Sequence, residues 1–323
     1  MRKIVIAVVA AGLACPAFAS DTELSGFADG SYVYDVNMEA GEFGVDQVEL
    51  DVVHHASEKA TVRADLEWVK DDQGFVAQVE QAYMAYTRSC GTTFTFGQFN
   101  APIGFELLDP PDMYQFSHSL VFDYALPTNV TGLAAARALG AGFDIVAYVC
   151  NGWDRNAEDN KHPTFGGRLG YTGPGGAALG LSAISGKEDA DLSAFTRTVF
   201  DVDLTYKAGA WTFGGEFNKG TVTLANNTDQ DWTAFLVMAH VMANEWLGLT
   251  GRFDSFDDTD GYAFNQAQTR SSLTFAPTFV LDDGLSTLVE VRLDSSGENV
   301  WTDSDGKPTD HAVTLALEVT STW

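Results

Sequence analysis

Along most of this chain every second residue is apolar. In "TVRADLEWV" the residues Val62, Ala64, Leu66 and Trp68 share one face, and Arg63, Asp65 and Glu67 share the other. "TVFDVDLTY" sets Phe200, Val202, Leu204 and Tyr206 against Asp201, Asp203 and Thr205. "WTFGGEFNKG" and "STLVEVRLD" repeat the pattern, and the closing run "AVTLALEVTSTW" carries it from Val313 through Leu315, Leu317 and Val319 to Trp323. A period of two is that of a β-strand with one greasy and one wet face. About sixteen such segments follow one another. They lie near 24–35, 42–55, 60–70, 75–88, 92–99, 130–139, 141–151, 163–172, 177–187, 196–207, 210–220, 230–242, 245–255, 267–281, 284–296 and 309–323.

One alternating strand does not tell a soluble sandwich from a membrane barrel, because each has a polar face. The connections do. Short ones ("ASEK", "SCG", the junction at Gly140, "GPGG", "AG", "MAN", "DD") alternate with longer ones centred on 36–41, 100–129, 152–162, 188–195, 221–229, 256–266 and 297–308. Tight turns at one end, long loops at the other and an even strand count predict an all-β chain folded as a transmembrane antiparallel barrel of about sixteen strands. Trp68 and Trp232 fall at the loop ends of their strands and Trp211, Trp246 and Trp323 at the turn ends, as two interfacial girdles would. A closed barrel leaves no unpaired edge in lipid, so the terminal run reads as the closing strand. It is also the segment that barrel-assembly machinery is expected to read.

The start of the chain sets the compartment. "MRKIVIAVVAAGLACPAFAS" has Arg2 and Lys3, an apolar stretch and an Ala17-Phe18-Ala19 cleavage pattern, which predicts a signal peptide over 1–19 and one barrel domain over 20–323. The formal charge of −27 becomes −29 once that leader is removed. Such acidity excludes a basic nucleic-acid surface. Beyond the leader no apolar run reaches the length of a spanning helix. Cys90 is expected in a turn and Cys150 near the opposite end of its strand, too far apart to pair.

The longest connection, "NAPIGFELLDPPDMYQFSHSLVFDYALPTN" over 100–129, follows the fifth strand and holds four of the chain's nine prolines, Pro102, Pro110, Pro111 and Pro127. Phe105, Tyr114, Phe116, Phe122 and Tyr124 argue against disorder, and a long ordered loop is usually functional. Gly97, Gln98, Phe99, Pro102, Gly104, Glu106, Ser117 and Ser119, with a second signature at Asn151, Gly152, Trp153 and Asp154, resemble the β-barrel porins of the OmpL-like type. Cys150 beside the second signature and a terminal Trp in place of Phe depart from that pattern. The resemblance implies a porin more firmly than it implies any substrate.

Enzymatic and metal chemistry find little support in the linear motifs. The histidines, at 54, 55, 118, 162, 240 and 311, have no H-E-x-x-H spacing, and "SHS" at 117–119 lacks a third placed group. "DDTDG" and "DSDG" fail the calcium-loop register, which would put Phe256 or Trp301 at the first ligand position. No cofactor and no metal site is expected. The inward polar set includes Glu49, Asp51, Arg63, Asp65, Glu67, Glu80, Arg137, Arg168, Asp201, Asp203, Glu216, Arg270, Glu290, Arg292 and Glu318, which calls for water or close pairing. The expected function is passive diffusion of small hydrophilic solutes and ions through an outer-membrane channel, with lipid and lipopolysaccharide around it and a homotrimer as one assembly. The alternative is a barrel that does not conduct and serves as a structural or surface-binding protein. The loop is expected to fold inward, held by Arg63, Arg137, Arg168, Arg270 and Arg292, with Glu106, Asp109, Asp112 and Asp123 giving a cation preference.

Overall fold

The computed structural model describes residues 21–71, 74–158, 160–188 and 195–323. The leader expected over 1–19 lies outside the described residues. The first half of the barrel is β1 (Thr22–Asp35), β2 (Ala40–Ser57), β3 (Ala60–Asp71), β4 (Gly74–Thr87), β5 (Thr92–Asn100), β6 (Asn129–Gly140), β7 (Phe143–Cys150) and β8 (Thr164–Thr172). The second half is β9 (Ala177–Lys187), β10 (Thr196–Ala208), β11 (Trp211–Thr223), β12 (Asp229–Asn244), β13 (Leu247–Asp258), β14 (Gln268–Asp282), β15 (Leu285–Ser296) and β18 (His311–Thr322). The short β16 (Trp301–Thr302) and β17 (Pro308–Thr309) form a separate ribbon in the last long connection.

Each barrel strand pairs antiparallel with its neighbours, and β1 pairs with β18, so the sheet closes on itself. Closure matters because lipid offers no partner for an open row of N–H and C=O groups. The seam runs from Asp35 opposite Thr314 to Phe27 opposite Thr322. It ends on a reciprocal pair, Trp323 N donating to Gly26 O at 3.1 Å and Gly26 N to Trp323 O at 3.3 Å.

The two faces are inverted relative to a protein dissolved in water. Leu66, Phe94, Phe96, Phe200, Val202, Leu204, Phe217, Leu273, Phe275, Leu315 and Leu317 are exposed on the outside, while Glu49, Asp65, Glu67, Asp201, Asp203, Glu290 and Glu318 are buried inside. Carboxylates are seldom buried and large apolar patches seldom exposed unless the outside is lipid and the inside is a polar lumen. Trp68, Trp211, Trp246 and Trp323 are exposed on the outer face. Trp232 is not part of a girdle: it is buried, in register with Ala234, Leu236 and Met238 on the inner face of β12. That inner face is apolar because the connection after β5 packs on it. Cys90 is exposed and Cys150 buried, and both are free thiols.

Placing an arginine at Leu204, opposite Gly215 and Leu179 on the outer face, should cost roughly 2–4 kcal/mol near the bilayer midplane. Arginine at the adjacent inward Thr205, which borders a lumenal cavity, should cost much less. Urea-dependent folding of both variants into lipid vesicles measures the difference, and equal costs would reverse the facing assignment.

Candidate pore and its constriction

The inner wall divides into two sectors of different electrostatic character. On β2, β3 and β4 the inward carboxylates Glu49, Asp51, Asp65, Glu67 and Glu80 outnumber the one inward arginine that pairs with them, Arg63. Glu49 lies directly opposite Glu67, and Asp51 opposite Asp65. Like charges facing each other across a ladder destabilise it unless something stands between them. For the second pair that is Arg63, whose Nε is 2.8 Å from Asp65 Oδ1 and whose Nη2 is 3.5 Å from Asp51 Oδ1.

A β-bulge adds a third glutamate to the first pair. Gln81 is opposite Asp65 and Val79 opposite Leu66, so Glu80 is the extra residue, and both Glu80 and Gln81 are buried. Bulges re-aim side chains in this way. The Gln98 amide holds the bulge, donating to Glu80 O at 2.8 Å and Val79 O at 3.0 Å, and Asn129 Nδ2 donates to Glu80 O at 3.2 Å. Gly97, next to Gln98, has φ +134° and lies against Ala82 O and Tyr83, where a Cβ would collide. The Gly-Gln pair thus seats β5 against the bulged strand.

From β8 to β15 acids and bases are interleaved. Arg168 and Asp203 form a two-pronged pair, Nη2 to Oδ1 at 2.8 Å. Arg252 Nε is 3.1 Å from Asp254 Oδ2, and Arg292 Nε is 2.9 Å from Asp294 Oδ1. Across this sector lies the connection 101–128, which contains a short 3-10 turn, Pro110–Asp112, and the helix α1 (Leu120–Ala125).

Its contacts are with the inner wall. Leu120, Val121, Ala125 and Leu126 join Trp232, Ala234, Leu236, Met238 and Phe256 in one buried apolar cluster. Fully burying a Leu or Val side chain is worth about 1.5–3 kcal/mol, so this face is a substantial hold. Polar anchors surround it. Glu216 accepts from Phe105 N at 2.7 Å, Glu290 from Phe116 N at 2.9 Å and Ser117 N at 3.2 Å, and Asp254 from Leu120 N at 2.9 Å. Ser119 caps α1, accepting from Phe122 N at 3.1 Å, and is itself held by Glu106. Two wall glycines leave sockets for flat side chains: a Cβ at Gly214 would strike the Phe105 ring, and one at Gly180 the Arg168 guanidinium.

Arg252 is the centre of these anchors. It is buried on β13 and donates to Glu106 Oε1 at 2.6 Å, Ser117 O at 2.7 Å and His118 O at 3.1 Å. Arg292 adds a bond to His118 O at 2.6 Å. Arg252 was absent from the expected inward set, although "LTGRFDSF" places it in phase with Thr250 and Asp254.

The other expected site residues separate by place. Glu106 is taken up by Arg252 and Ser119 and is an anchor, not an unpaired pore charge. Asp109 Oδ1 is buried without a hydrogen-bond partner. Burial, then the charges of Glu80, Asp112, Asp51 and Asp65, push the Asp109 carboxyl up to about 8. Asp112 is exposed and borders a cavity of about 340 Å³ together with Arg168 and Asp203. Asp123 is exposed at a cavity lined by Trp153, Arg197 and Tyr262. Arg270 faces inward but holds outer connections, its guanidinium 3.9 Å from the Phe264 ring and 5.8 Å from Trp301.

Arg137 is a correction. It faces outward, opposite Thr92 and Ile145 and in phase with the exposed Leu133 and Leu139. It sits three residues before the Gly140 turn, where a long cationic side chain reaches the headgroup layer. Of the five arginines expected to hold the loop, Arg292 does so; Arg63 and Arg168 are paired to their own wall. The second signature fastens the loop exit, Asp154 Oδ1 accepting from Thr128 N at 2.9 Å, Thr128 Oγ1 at 2.8 Å and Asn129 N at 2.9 Å.

A closed sixteen-stranded barrel with an apolar exterior, a charged interior and a long loop packed on its inner wall defines a porin-type barrel. The chain belongs to the family described as Putative beta-barrel porin-2, OmpL-like, whose model matches residues 22–322. In structure it is similar to the trimer form of OmpT, an outer membrane protein of Vibrio cholerae, with a TM-score of 0.71 at 12% identity over 94% of this chain and 100% of that one. The outer membrane channel DcaP of Acinetobacter baumannii gives 0.71 at 12% identity over 94% and 97%. The anion-selective porin from Comamonas acidovorans gives 0.68 at 12% identity over 94% and 100%. At these identities the likeness is one of fold. No curated protein sequence matches the chain.

Arg252→Met should cost about 3–5 kcal/mol, because it leaves Glu106 and Asp254 buried without their cation. The urea midpoint of the refolded barrel checks this. A shift as small as that of a surface substitution would remove Arg252 from the loop's support.

Proposed function

We propose that the protein is a bacterial outer-membrane channel for passive diffusion of small hydrophilic solutes, with a preference for cations, and that it is not an enzyme. The observation that carries this reading is the imbalance of charge in the lumen. Arg63, Arg168, Arg252 and Arg292 are each paired with a carboxylate, Arg197 and Arg270 lie on aromatic rings, and Lys207 borders the cavity that Asp112 and Asp203 share. Glu49, Glu67 and Glu80 have no ion-pair partner among the described residues, and Asp112, joined by Asp109 once it ionises near pH 8, adds acid from the loop side. A narrow aqueous passage bordered by unpaired carboxylates concentrates cations and depletes anions.

Fold alone does not set this preference, since one similar barrel is described as anion-selective. The reading rests on this chain's own side chains. The apolar cluster beneath α1 is the one feature that favours the alternative, a barrel without conduction, because it fills part of the cross-section. Cavities of about 340 Å³ and 450 Å³ beside the loop and the acidic wall support an open path. Export through the leader, insertion through the terminal strand, contact with lipopolysaccharide and assembly as a homotrimer, the form given for OmpT, complete the proposal.

Reversal potentials across a salt gradient test it. Cation preference should rise as pH is raised through about 8, where the Asp109 carboxyl gains its charge, and fall as pH is lowered. The double variant Asp109→Asn, Asp112→Asn should lose most of that pH dependence. The preference should weaken at high salt as screening shortens the reach of the charges. Absence of channel steps in planar bilayers would favour the non-conducting alternative; an anion-selective wild type would reverse the charge argument.

A further inference from the structure

The glutamate cluster on β2, β3 and β4 is an unusual thing to bury. Carboxylate oxygens of Glu49, Glu67 and Glu80 all lie within 4.8 Å of one another. Glu49 is 0% and Glu80 3% exposed. Glu67 is oriented by two amides, Gln47 Nε2 at 2.8 Å and Gln78 Nε2 at 2.7 Å. Glu49 Oε2 has a long contact with Gln47 at 3.3 Å, and its Oε1 has no hydrogen-bond partner. Neither oxygen of Glu80 has one.

The neighbouring acidic pair shows what balance looks like. Asp51 and Asp65 have Arg63 between them. Among the described residues no lysine, arginine or histidine pairs with Glu49, Glu67 or Glu80, so three inward carboxylates converge with three oxygens unengaged. Mutual repulsion and lost hydration make that arrangement costly unless a positive charge enters. A backbone irregularity, held by two side-chain amides, exists to aim Glu80 at this point.

We propose that Glu49, Glu67 and Glu80 bind one calcium ion at the inner wall of the barrel. The donor set is all oxygen, which selects a hard cation over zinc or copper. Oxygens that all lie within 4.8 Å of one another can be gathered onto one ion, and the flexible coordination of calcium suits three glutamates fixed on a sheet better than the strict octahedron of magnesium. A polar cavity of about 450 Å³ borders Glu67 and Glu80 and supplies an entry route and space for coordinating water. None of the three ligands is near another in a linear calcium motif; the sheet register and the bulge bring them together.

The test is calorimetric titration of CaCl₂ into the full-length barrel, refolded in detergent and stripped with chelator. Wild type should take up one ion with a Kd of about 10⁻⁴–10⁻³ M, as in other extracellular oxygen sites. Glu80→Gln and Glu49→Gln should each weaken it at least about tenfold, and Asp303→Asn with Asp305→Asn, at an exposed outer tip, should leave it unchanged. Heat-modifiable gel migration establishes that each variant is folded. No calcium heat in wild type, uptake unchanged in both glutamate variants, or magnesium binding as tight as calcium would overturn the proposal. This measurement needs no conduction and stands apart from the channel reading. A second arm rests on that reading: calcium should lower cation preference in bilayers with wild type and not with Glu80→Gln. Calcium uptake without conduction would retain the site and reject the channel.

Discussion

Arg252 ties two separate structures into one. Its guanidinium is buried between Asp254 on its own strand and Glu106 on the loop, and it reaches the carbonyls of Ser117 and His118. A cation stripped of water needs every N–H satisfied, and here the satisfaction comes from both barrel and loop. The helix α1 can then lay Leu120, Val121 and Ala125 on β11 to β13 without leaving its first turn unsupported, because Ser119 is shared between capping and Glu106. The anchor also has a directional effect. With Glu106 neutralised at one end of the loop, Asp112 is left exposed at the cavity it shares with Arg168 and Asp203.

The two wall sectors therefore have different tasks. From β8 to β15 most charged groups either pair with one another or hold the loop, buried Asp201 being an exception. On β2 to β4 they are clustered with little compensation. Gln98 and Gly97 belong to both stories, since the amide that secures the bulge follows a glycine that lets β5 approach the bulged strand. A motif that first marks a family is thereby explained as local carpentry: it fixes where Glu80 points and where the loop departs.

Most of the fold was legible in the sequence because a lipid exterior makes the period of two nearly obligatory. Strand order and the alternation of turns and loops follow from it with small shifts at the ends. The failures have a common cause. Alternation tells which residues share a face and not which face it is. In β12 both faces are apolar, Phe235 and Val237 outside and Leu236 and Met238 inside, so Trp232 was given to the wrong one. Charge alone suggests an inward Arg137, but it is in phase with Leu133 and lies near a turn where charge meets water. Arg252 carried the same signal as Arg292, and nothing local marks it as the one that a distant loop will use. Glu49, Glu67 and Glu80 each read as inward from the sequence, but their meeting at one point shows only in the pairing across strands and the bulge at Glu80.

The glycine sockets have a consequence for the size of the opening. Phe105 lies against bare backbone at Gly214, and Arg168 does so at Gly180. Each bulky group is recessed by the thickness of a missing side chain. The aperture is then set by the smallest residues of the wall as much as by the largest ones of the loop. A single methyl added at either glycine would lift a ring or a guanidinium toward the axis, narrowing the passage. At Gly214 calibre can change without any charge moving, whereas at Gly180 the same methyl would shift the cation that Asp203 holds.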